Sequence, residues 1–333
     1  MKNVTLQDIA DELNLTKVSI SKALRDHPDI SEDTRIKVKK MAKEMGYRPN
    51  LVARSLTSSK SKTIGLIIPK IAHFFFASVV EAIYKTAFEQ GYEVIIGVSL
   101  EDEELEKHHL ETMLQMRVDG LLVSITEQTK DVERFEAVKD MGISLVFFDR
   151  GFKDSGFSYI KADDEESARL GVAHFIEQGH TEIAHLAGYS HVEIGQKRRA
   201  GFEKAMQDAG LEINEKAIVE GGFSEAAGYE SFQKLLDTHG VPKSMFTVTY
   251  PVGLGALQCM KDNDIDPKSV DILTFGKSDF NEYLTHPFTC IDQPTTSLGK
   301  KAVEQLLEEI NSEKSVSPVL TELAAEIPPL NGK

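Results

Sequence analysis

Side chains that could bind phosphate are concentrated near the N-terminus of this chain. One face of a predicted helix carries Lys17, Val18, Ser21, Lys22 and Arg25, which are spaced i, i+1, i+4, i+5 and i+8. Lysine and arginine neutralise phosphate, and serine donates a hydrogen bond to it. The same pattern also fits an amphipathic helix whose lysines are solvated. These residues alone favour nucleic-acid binding and leave that alternative open.

Short helices are predicted to position this face. Thr5 is an N-cap with Asp8 in the first turn, and apolar residues follow it at helical spacing. Asn14 tolerates a turn, and Thr16 caps a second helix that runs to about Arg25. Two short helices with a three-residue turn between them, the second of them basic, are typical of a helix-turn-helix.

A third helix is expected to complete a small core. Ser31 is its N-cap and Gly46 ends it. The side chains expected to face inward from the second and third helices are Ile20, Ala23, Leu24, Ile36, Val38, Met41, Ala42 and Met45.

The charge of the chain is unevenly distributed. All 333 residues together carry 38 Lys and Arg against 53 Asp and Glu, a net charge of −15. Residues 1–62 carry 13 basic and 8 acidic side chains, hence +5, and the remainder carries −20. A basic head on an acidic body is expected when one end meets phosphate. With 41% hydrophobic residues, disorder throughout the chain is excluded.

The sequence predicts a cytoplasmic protein without a cofactor or metal. The first residues include acids where a signal peptide would need an apolar stretch, and no apolar run approaches about 18 residues. Cys259 and Cys290 lack the paired spacing of a zinc site or a disulfide framework, which suits a reducing compartment.

Two stretches of the head carry a more specific pattern. They read VTLQDIADELNLTKVSISKAL from residue 4 and ISEDTRIKVKKMAKEMGYRPNLVARSL from residue 30. This pattern resembles the lactose-repressor-type (LacI/GalR) family of bacterial transcription regulators. The match is specific because it includes YRPN-x-VARSL as well as the generic helix-turn-helix.

The resemblance implies which side chains contact DNA. Lys17, Val18 and Lys22 take the positions at which the family reads base edges in the major groove. Lys22 could donate to guanine O6 or N7, and Val18 could contact a thymine methyl group. The family more often has arginine at the position of Lys22, so the usual bidentate contact to guanine is lost. The groups expected to position phosphates are Thr5, Ser19, Ser21 and Asn50.

Residues 50–58 (NLVARSLTS) resemble the hinge helix of the family. Nine residues are too few for a stable isolated helix, so the segment should fold only when it pairs with its dimer mate on DNA. Ala53 would permit close approach of the two helices. Leu56 would be the apolar wedge that enters the minor groove, with Arg54 beside it. Without the resemblance, a polar linker is the simpler interpretation.

From residue 63 onward, short apolar runs alternate with helical patterns. The runs that predict buried strands are TIGLIIP, EVIIGV, GLLVSI, SLVFF, IAHLA, MFTVTY and VDILTF. The helical patterns cover 76–90, 103–117, 130–140, 164–178, 197–209, 224–238, 253–263 and 296–311. The alternation predicts an α/β fold in which helices cover both faces of parallel sheets, and the length predicts two similar lobes.

The resemblance extends over this region and implies a periplasmic-binding-protein-like (type I) body of two lobes. Its landmarks are KIAHFFF (70–76), RVDGLLV (117–123), FFDR (147–150), GHTEIAHLAG (179–188), RRAGF (198–202) and IDQP (291–294). The expected domains are a helix-turn-helix (1–49), a hinge helix and linker (50–62) and an effector-binding and dimerisation domain (63–333). Its two lobes would comprise 63–160 with 292–320, and 161–291 with 321–333.

An effector is expected in the cleft between the lobes, beyond the strand ends. By the resemblance, the effector positions correspond to His73, Phe75, Phe76, Asp149, Arg198 and Phe223. Phenylalanine faces beside a guanidinium suit a sugar, although each aromatic could equally pack in the core.

Two departures from the family pattern concern this cleft. The family often has aspartates where Tyr250-Pro251 and Gly276-Lys277 stand here, and those carboxylates commonly hold sugar hydroxyls. The cations expected near the cleft are Lys70, Arg150, Arg198 and Lys277. A cleft without its acids suggests an anionic effector, such as a uronate or sugar phosphate. Loss of small-molecule binding, or a protein partner in its place, is the other hypothesis.

The sequence therefore predicts a homodimeric transcription regulator of carbohydrate genes that binds a palindromic operator. Effector binding would change the angle between the lobes and thereby the pairing of the hinge helices. A ligand-binding receptor is the alternative, which the basic head disfavours. An α/β enzyme acting on sugars is a third class, but no catalytic constellation can be assembled, so no enzymatic activity is expected.

Overall fold

The computed structural model describes residues 4–47, 60–72, 74–312 and 316–327. Contacts divide the chain into two compact units, residues 1–61 and 62–333. Within the described residues of the first unit, the helices are α1 (Leu6–Leu13), α2 (Lys17–Leu24) and α3 (Glu32–Glu44).

Local hydrogen bonds set the ends of these three helices. Thr5 and Asp8 form a reciprocal capping box at the start of α1, and Asn14 ends that helix in the left-handed conformation (φ 54°). The side chains of Thr16 and Ser31 accept from backbone N–H groups at the starts of α2 and α3. The predicted boundaries agree with these to within one or two residues, because capping depends only on neighbours in the chain.

The core of the first unit is small. Its buried side chains are Ile9, Ala10, Ile20, Ala23, Val38 and Ala42. Leu24, Met41 and Met45 pack against them, as predicted. The prediction that Ile36 faces this core is wrong, because its side chain is 56% exposed. Val38 and Ala42 define the inner face of α3, and a residue two positions before Val38 lies on the opposite side of a helix.

The second unit contains two parallel sheets. The strands in its described part are β1 (Thr63–Ile68), β2 (Glu93–Val98), β3 (Gly120–Val123), β4 (Ser144–Phe148), β5 (Ser158–Ala162), β6 (Ile183–Ala187), β7 (Ile218–Glu220), β8 (Ser244–Thr247), β9 (Asp271–Phe275), β10 (Thr289–Ile291) and β11 (Leu320–Leu323). The order is β11-β5-β4-β3-β1-β2 in one sheet and β10-β9-β8-β6-β7 in the other. All neighbouring strands pair in parallel.

Helices cover both faces of each sheet. They are α4 (Phe74–Glu89), α5 (Glu103–Gln115), α6 (Glu136–Asp140), α7 (Asp164–Glu177), α8 (Glu193–Asp208), α9 (Glu225–His239), α10 (Tyr250–Asp262) and α11 (Thr295–Asn311). Each sheet consequently has a hydrophobic cluster on either side. Burial on two faces explains why the central strands appear as continuous apolar runs.

Four strands were not predicted from the sequence because they are short or lack an apolar run: β5, β7, β10 and β11. The expected strand MFTVTY ends earlier, since Tyr250 begins α10, which has Pro251 in its first turn. Only α6, preceded by a short 3-10 helix, forms within the expected helix 130–140.

Two of the expected crossings between lobes lie close to the ends of β5 and β11. β5 extends to Ala162 and β11 to Leu323, and both strands belong to the first sheet. We use "N-lobe" for β1–β5, β11, α4–α6 and α11, and "C-lobe" for β6–β10 and α7–α10. None of the helices in the described ranges has the length and apolar character needed to span a bilayer. Cys259 and Cys290 are both buried and unpaired.

Candidate functional site

The outer face of α2 carries side chains predicted to bind DNA. Val18 is 65% exposed, Lys17 is also exposed, and Ser19, Ser21 and Lys22 are half-buried. The exposure of Val18 and Lys17 leaves both side chains accessible to a partner. The hinge residues Asn50, Ala53, Arg54 and Leu56 lie outside the described residues, so their roles remain predictions.

Several polar groups of this face already have local partners. The Lys22 Nζ lies 2.6 Å from Asp29 Oδ2. Arg25 donates to the backbone oxygen and to the hydroxyl of Ser21, both at 3.1 Å. The Thr5 hydroxyl donates to Asp8, and the Ser19 hydroxyl lies 2.9 Å from that of Thr16. The serines and threonine predicted to position phosphates therefore also stabilise the helix ends.

In the second unit, a cavity of about 220 Å³ lies between the lobes. Its lining includes residues that directly follow strands of both sheets: Lys70, Asp149, Arg150, Thr249, Gly276, Lys277 and Asp292. In parallel sheets the carboxyl ends of the strands meet at one edge, where α/β proteins usually bind ligands.

Five of the six predicted effector positions line this cavity, namely Phe75, Phe76, Asp149, Arg198 and Phe223, and so does the predicted cleft cation Lys277. His73 lies outside the described residues. Phe76 is only 5% exposed and belongs to the N-lobe core, so packing accounts for most of its surface. That these residues contact an effector remains a prediction.

Arg198 is almost fully buried under the cavity. Its Nε and Nη2 lie 2.8 and 2.7 Å from Asp164 Oδ1, and its Nη1 donates to the Val248 carbonyl at 2.7 Å. The guanidinium also stacks on Phe275, 3.7 Å from the ring centroid. Burial raises the pKa of Asp164, and the charge of Arg198 opposes that rise. These contacts use three of the five N–H groups of the guanidinium.

Asp149 follows β4 in a left-handed conformation (φ 59°). Its carboxylate accepts from the Ser124 hydroxyl at 3.1 Å and lies 3.7 Å from Arg150 Nε. Burial raises the pKa of Asp149 to about 6, although Arg150 opposes the shift. The charge of this carboxyl group therefore changes within about one unit of neutral pH.

The absence of the two family aspartates does not leave the cavity without acids. The carboxylates that line the cavity are Glu101, Asp149, Asp279 and Asp292. They come from the loops after β2, β4, β9 and β10, and not from the positions at which the family often has aspartate. Because β10 was not predicted, Asp292 was expected only as part of the IDQP landmark and not as a residue that follows a strand.

Each expected cation of the cleft has a carboxylate partner. Arg150 Nη2 lies 2.9 Å from Glu101 Oε1, and Lys70 Nζ lies 4.0 Å from the same oxygen. Lys277 Nζ lies 3.8 Å from Asp292 Oδ2, and Arg198 is held by Asp164 as described above. The cavity is therefore balanced in charge rather than cationic.

The sequence also did not predict an aromatic contact between the lobes. The ring of Phe74, at the start of α4, lies edge-on to that of Tyr250 at 6.2 Å and contacts that of Phe280 at 6.1 Å between centroids. Phe74 belongs to the N-lobe, and the other two rings belong to the C-lobe. Its position in KIAHFFF beside the predicted Phe75 was a usable signal, but nothing in the sequence indicated Phe280.

These features define a class of protein. Two parallel sheets with a charge-balanced cavity at their facing strand ends are typical of a two-lobed ligand-binding domain. The helix-turn-helix that precedes it, with its exposed basic face, is typical of a DNA-binding domain. A chain that combines the two belongs to the class of DNA-binding regulators that carry a ligand-binding domain.

Comparison with known proteins identifies the family. Residues 5–50 match the family model for bacterial regulatory proteins of the lacI family. Residues 61–322 match the model for periplasmic binding proteins and the sugar binding domain of the LacI family. This chain therefore belongs to the LacI family of DNA-binding transcription regulators, and it is not an enzyme.

Relatives and solved structures agree with this assignment. The chain is 32% identical over 309 residues to the HTH-type transcriptional repressor PurR of Escherichia coli O139:H28, covering 92% of this chain and 90% of that protein. It is 28% identical over 320 residues to catabolite control protein A of Priestia megaterium, covering 96% of both. The lac repressor dimer bound to operator and the anti-inducer ONPF has the same fold, with a TM-score of 0.85 at 24% identity over 98% of both chains.

Proposed function

We propose that this chain is a homodimeric repressor in the cytoplasm that binds a palindromic operator and releases or retains it in response to a small carbohydrate. The observation that carries the proposal is the cavity at the strand ends of both lobes, in a chain whose first unit is a helix-turn-helix. The relatives named as transcriptional repressors support repression rather than activation.

The cavity favours a small, neutral, hydroxylated effector. Its volume of about 220 Å³ is below the ~300–1,000 Å³ of sites for drug-sized ligands, which suits a ligand near the size of a monosaccharide. Phe75 and Phe223 offer apolar faces to C–H groups, while Arg198 and Asp149 offer a donor and an acceptor. A uronate or sugar phosphate would have to displace the carboxylates that already pair with the cations of the cleft. We therefore favour a neutral sugar over an anionic one.

The effector class is tested by thermal shift with neutral sugars, uronates and sugar phosphates. We expect a neutral monosaccharide to raise the melting temperature of the wild-type protein and to lose that effect in Arg198→Met. Arg199→Met is the matched control, since Arg199 is the next residue of the same helix and pairs with Glu203 outside the cavity. Stabilisation by sugar phosphates alone would contradict a neutral effector.

The head would read DNA through α2. Lys17, Val18 and Lys22 would contact base edges, while Thr5, Ser19, Ser21 and Asn50 would position phosphates. In the hinge, Ala53 would permit close approach of the two helices, and Leu56, with Arg54 beside it, would enter a central base step. Leu56→Ala should abolish most sequence-specific binding and leave the melting temperature unchanged. Sequence-specific binding that survives this substitution would refute the wedge.

A second copy of this chain is the proposed partner of the N-lobe. The outer face of α4 and the loop before it expose apolar side chains, with Ile71 at 52%, Tyr84 at 50% and Phe88 at 66%. These three residues border one shallow groove. Contiguous exposed apolar side chains are typical of interaction sites, and a two-fold dimer would bring the same patch of both copies together.

Dimerisation through this patch is tested by sedimentation. We expect the double variant Tyr84→Asp, Phe88→Asp to be monomeric at concentrations at which the wild type is a dimer, because each face of the contact would gain two charges. Leu170→Asp is the control, since Leu170 is an exposed apolar residue on the C-lobe. A double variant that remains dimeric would place the interface elsewhere.

Effector and operator would be coupled through the lobes. Closing the cleft on a sugar would alter the angle between the N-lobe and the C-lobe, and thereby the distance at which the two hinge segments of a dimer can pair. A coupling free energy of about 1–3 kcal/mol, roughly 5- to 150-fold in operator affinity, is the usual scale. Operator affinity measured with and without the sugar found by thermal shift tests this step.

A further inference from the structure

The proposed base-reading lysine of α2 is held by a carboxylate from the loop that follows the helix. Lys22 Nζ donates to Asp29 Oδ2 at 2.6 Å, and the two side chains are 34% and 58% exposed. The backbone N–H of Asp29 in turn donates to His27 Nδ1 at 3.3 Å. The hydrogen bond from Lys22 holds the pKa of Asp29 below its ordinary value, so this carboxylate stays ionised at any pH relevant to DNA binding.

This pairing restricts a side chain that would otherwise be mobile. A lysine ammonium is a point charge on a flexible four-carbon stem, whereas an arginine guanidinium is a planar fork that is already organised for guanine. An unpaired Lys22 could reach either a base edge or any nearby phosphate. Because Asp29 accepts a hydrogen bond from one of the three N–H groups of the ammonium, two donors remain and the ammonium has a narrower range of positions.

The pairing also has an electrostatic cost. Non-specific affinity for DNA comes from cations that neutralise phosphates, and a carboxylate beside the DNA-facing helix repels them. Asp29 therefore removes from α2 much of the charge that Lys22 would contribute to any duplex, whatever its sequence. What remains is a directed hydrogen-bond donor, and hydrogen bonds to base edges carry sequence information.

We infer that Asp29 is a positioning residue for sequence recognition, which aims Lys22 at one base pair and lowers non-specific affinity at the same time. The inference rests on the proposed role of Lys22 as a reader of base edges. It assigns to the loop after α2 a share in specificity that does not require Asp29 itself to touch a base.

The test uses the full-length protein and a library of duplexes with a randomised centre of about 20 base pairs, the span of two half-sites. Bound duplexes are sequenced to obtain the base preference at each position. Lys22→Ala identifies the base pair that Lys22 reads, as the position where preference is lost. We expect Asp29→Asn to reduce preference at that same position about threefold, within the range an exposed ion pair contributes, and to leave other positions unchanged.

A second measurement distinguishes positioning from a structural role. Affinity for one scrambled duplex, measured across a salt series, should rise in Asp29→Asn, and the salt dependence should steepen by about 0.9 in log–log slope, the value for one additional phosphate contact. Asp29→Glu, which keeps the carboxylate, should restore much of the base preference. A loss of melting temperature alone, with base preference intact, would overturn the inference.

The chain offers a matched control in the same loop. Asp26 is exposed like Asp29, but it pairs with Lys39 at 2.6 Å and lies 3.5 Å from Arg35, not with Lys22. It adopts a left-handed conformation (φ 57°) that asparagine tolerates well, so Asp26→Asn makes the same change in charge with little strain. We expect Asp26→Asn to keep the wild-type base preference at the position read by Lys22.

The outcomes separate this inference from the function on which it rests. If the wild type selects a clear sequence and Lys22→Ala keeps the base preference at every position, Lys22 does not read bases and the proposed function loses that element. If Lys22→Ala removes the base preference at one position but Asp29→Asn does not reduce the preference there, the role of Asp29 is refuted and that of Lys22 stands. An equal effect of Asp26→Asn at that position would also refute it, because net charge alone would then explain the result.

Discussion

Phe74 of the N-lobe and Phe280 of the C-lobe contact each other across the cleft, with their ring centroids 6.1 Å apart. Both rings are substantially exposed, Phe74 at 41% and Phe280 at 63%. Phe74 also borders the cavity. A contact between the lobes at the edge of the cavity can only form when the lobes are close together, so it favours the closed arrangement that a small effector would require.

Phe280→Ala should therefore weaken effector binding without unfolding the protein. An aromatic pair contributes about 0.5–1.5 kcal/mol beyond its buried area, so we expect the dissociation constant for the effector to rise about 2- to 12-fold. Calorimetric titration with the sugar identified by thermal shift measures this change. Tyr283→Ala is the control, since Tyr283 is 83% exposed and neighbours Phe280, 6.5 Å away between centroids. Equal losses in both variants would argue against a specific role for the contact.

Asp164→Asn should destabilise the C-lobe and abolish effector binding. Asp164 and Arg198 are both at most 4% exposed as side chains, and removal of one partner of a buried pair leaves a charge without compensation. A loss of about 3–5 kcal/mol in the free energy of unfolding is typical of such a change, measurable by urea denaturation.

The matched control for that substitution is Glu203→Gln. Glu203 pairs with Arg199 at 2.6 Å, but both side chains are about one-third exposed. We expect a loss below about 1 kcal/mol in the free energy of unfolding and unchanged effector binding. Similar losses for both variants would show that burial of the Arg198 pair has no special energetic weight.

Effector affinity should fall below pH 6 because of Asp149. Its pKa is raised to about 6, so its carboxylate is ionised above that pH and can accept hydroxyl donors there. Below pH 6 the group protonates, and the dissociation constant should increase up to about tenfold per pH unit. Calorimetry between pH 5 and pH 8 measures the profile.

Ser124→Ala offers a check on that assignment. The hydroxyl of Ser124 donates to Asp149 and lowers the pKa of that carboxyl group, so its removal should move the midpoint of the profile to higher pH. Asp149→Asn should bind more weakly and remove the pH dependence over this range. A profile that stays the same in Asp149→Asn would assign the titration to another group.

Acid should destabilise the C-lobe through His185. The imidazole is fully buried and packs against the rings of Phe202 and Phe246, and burial lowers its pKa to about 4. The unfolded chain takes up this proton near pH 6.5, while the folded chain stays neutral until pH 4. Stability from this residue is therefore complete above pH 6.5 and is lost as the pH falls toward 4, by about 2 kcal/mol between pH 8 and pH 5.

His185→Leu isolates that contribution. The raised pKa of Asp149 acts in the opposite direction over part of this range, so the comparison must be made between variant and wild type at each pH. We expect the free energy of unfolding, from urea titrations followed by far-ultraviolet circular dichroism, to decline less in His185→Leu between pH 8 and pH 5. An identical decline would show that His185 is not the residue responsible.

The helix-turn-helix and the α/β pattern of the body could be predicted from the sequence because both depend on local rules. Thr5, Thr16 and Ser31 cap helices through hydrogen bonds to residues three positions away. The central strands appear as apolar runs because they are buried on both faces. Where the local rule was ambiguous, as for Ile36 or the short strand β10, the prediction was wrong or missing.

The chemistry of the cavity depended on tertiary structure. Lys277 and Asp292 follow different strands, as do Arg150 and Glu101, and only the strand order of the two sheets brings each pair to one edge. The sequence shows the cations but not their partners, because a charge is neutralised by whichever loops meet it in space. For that reason the sequence by itself determined the class of protein and most of the residues around the cleft, while the folded structure decided that the cleft is balanced in charge.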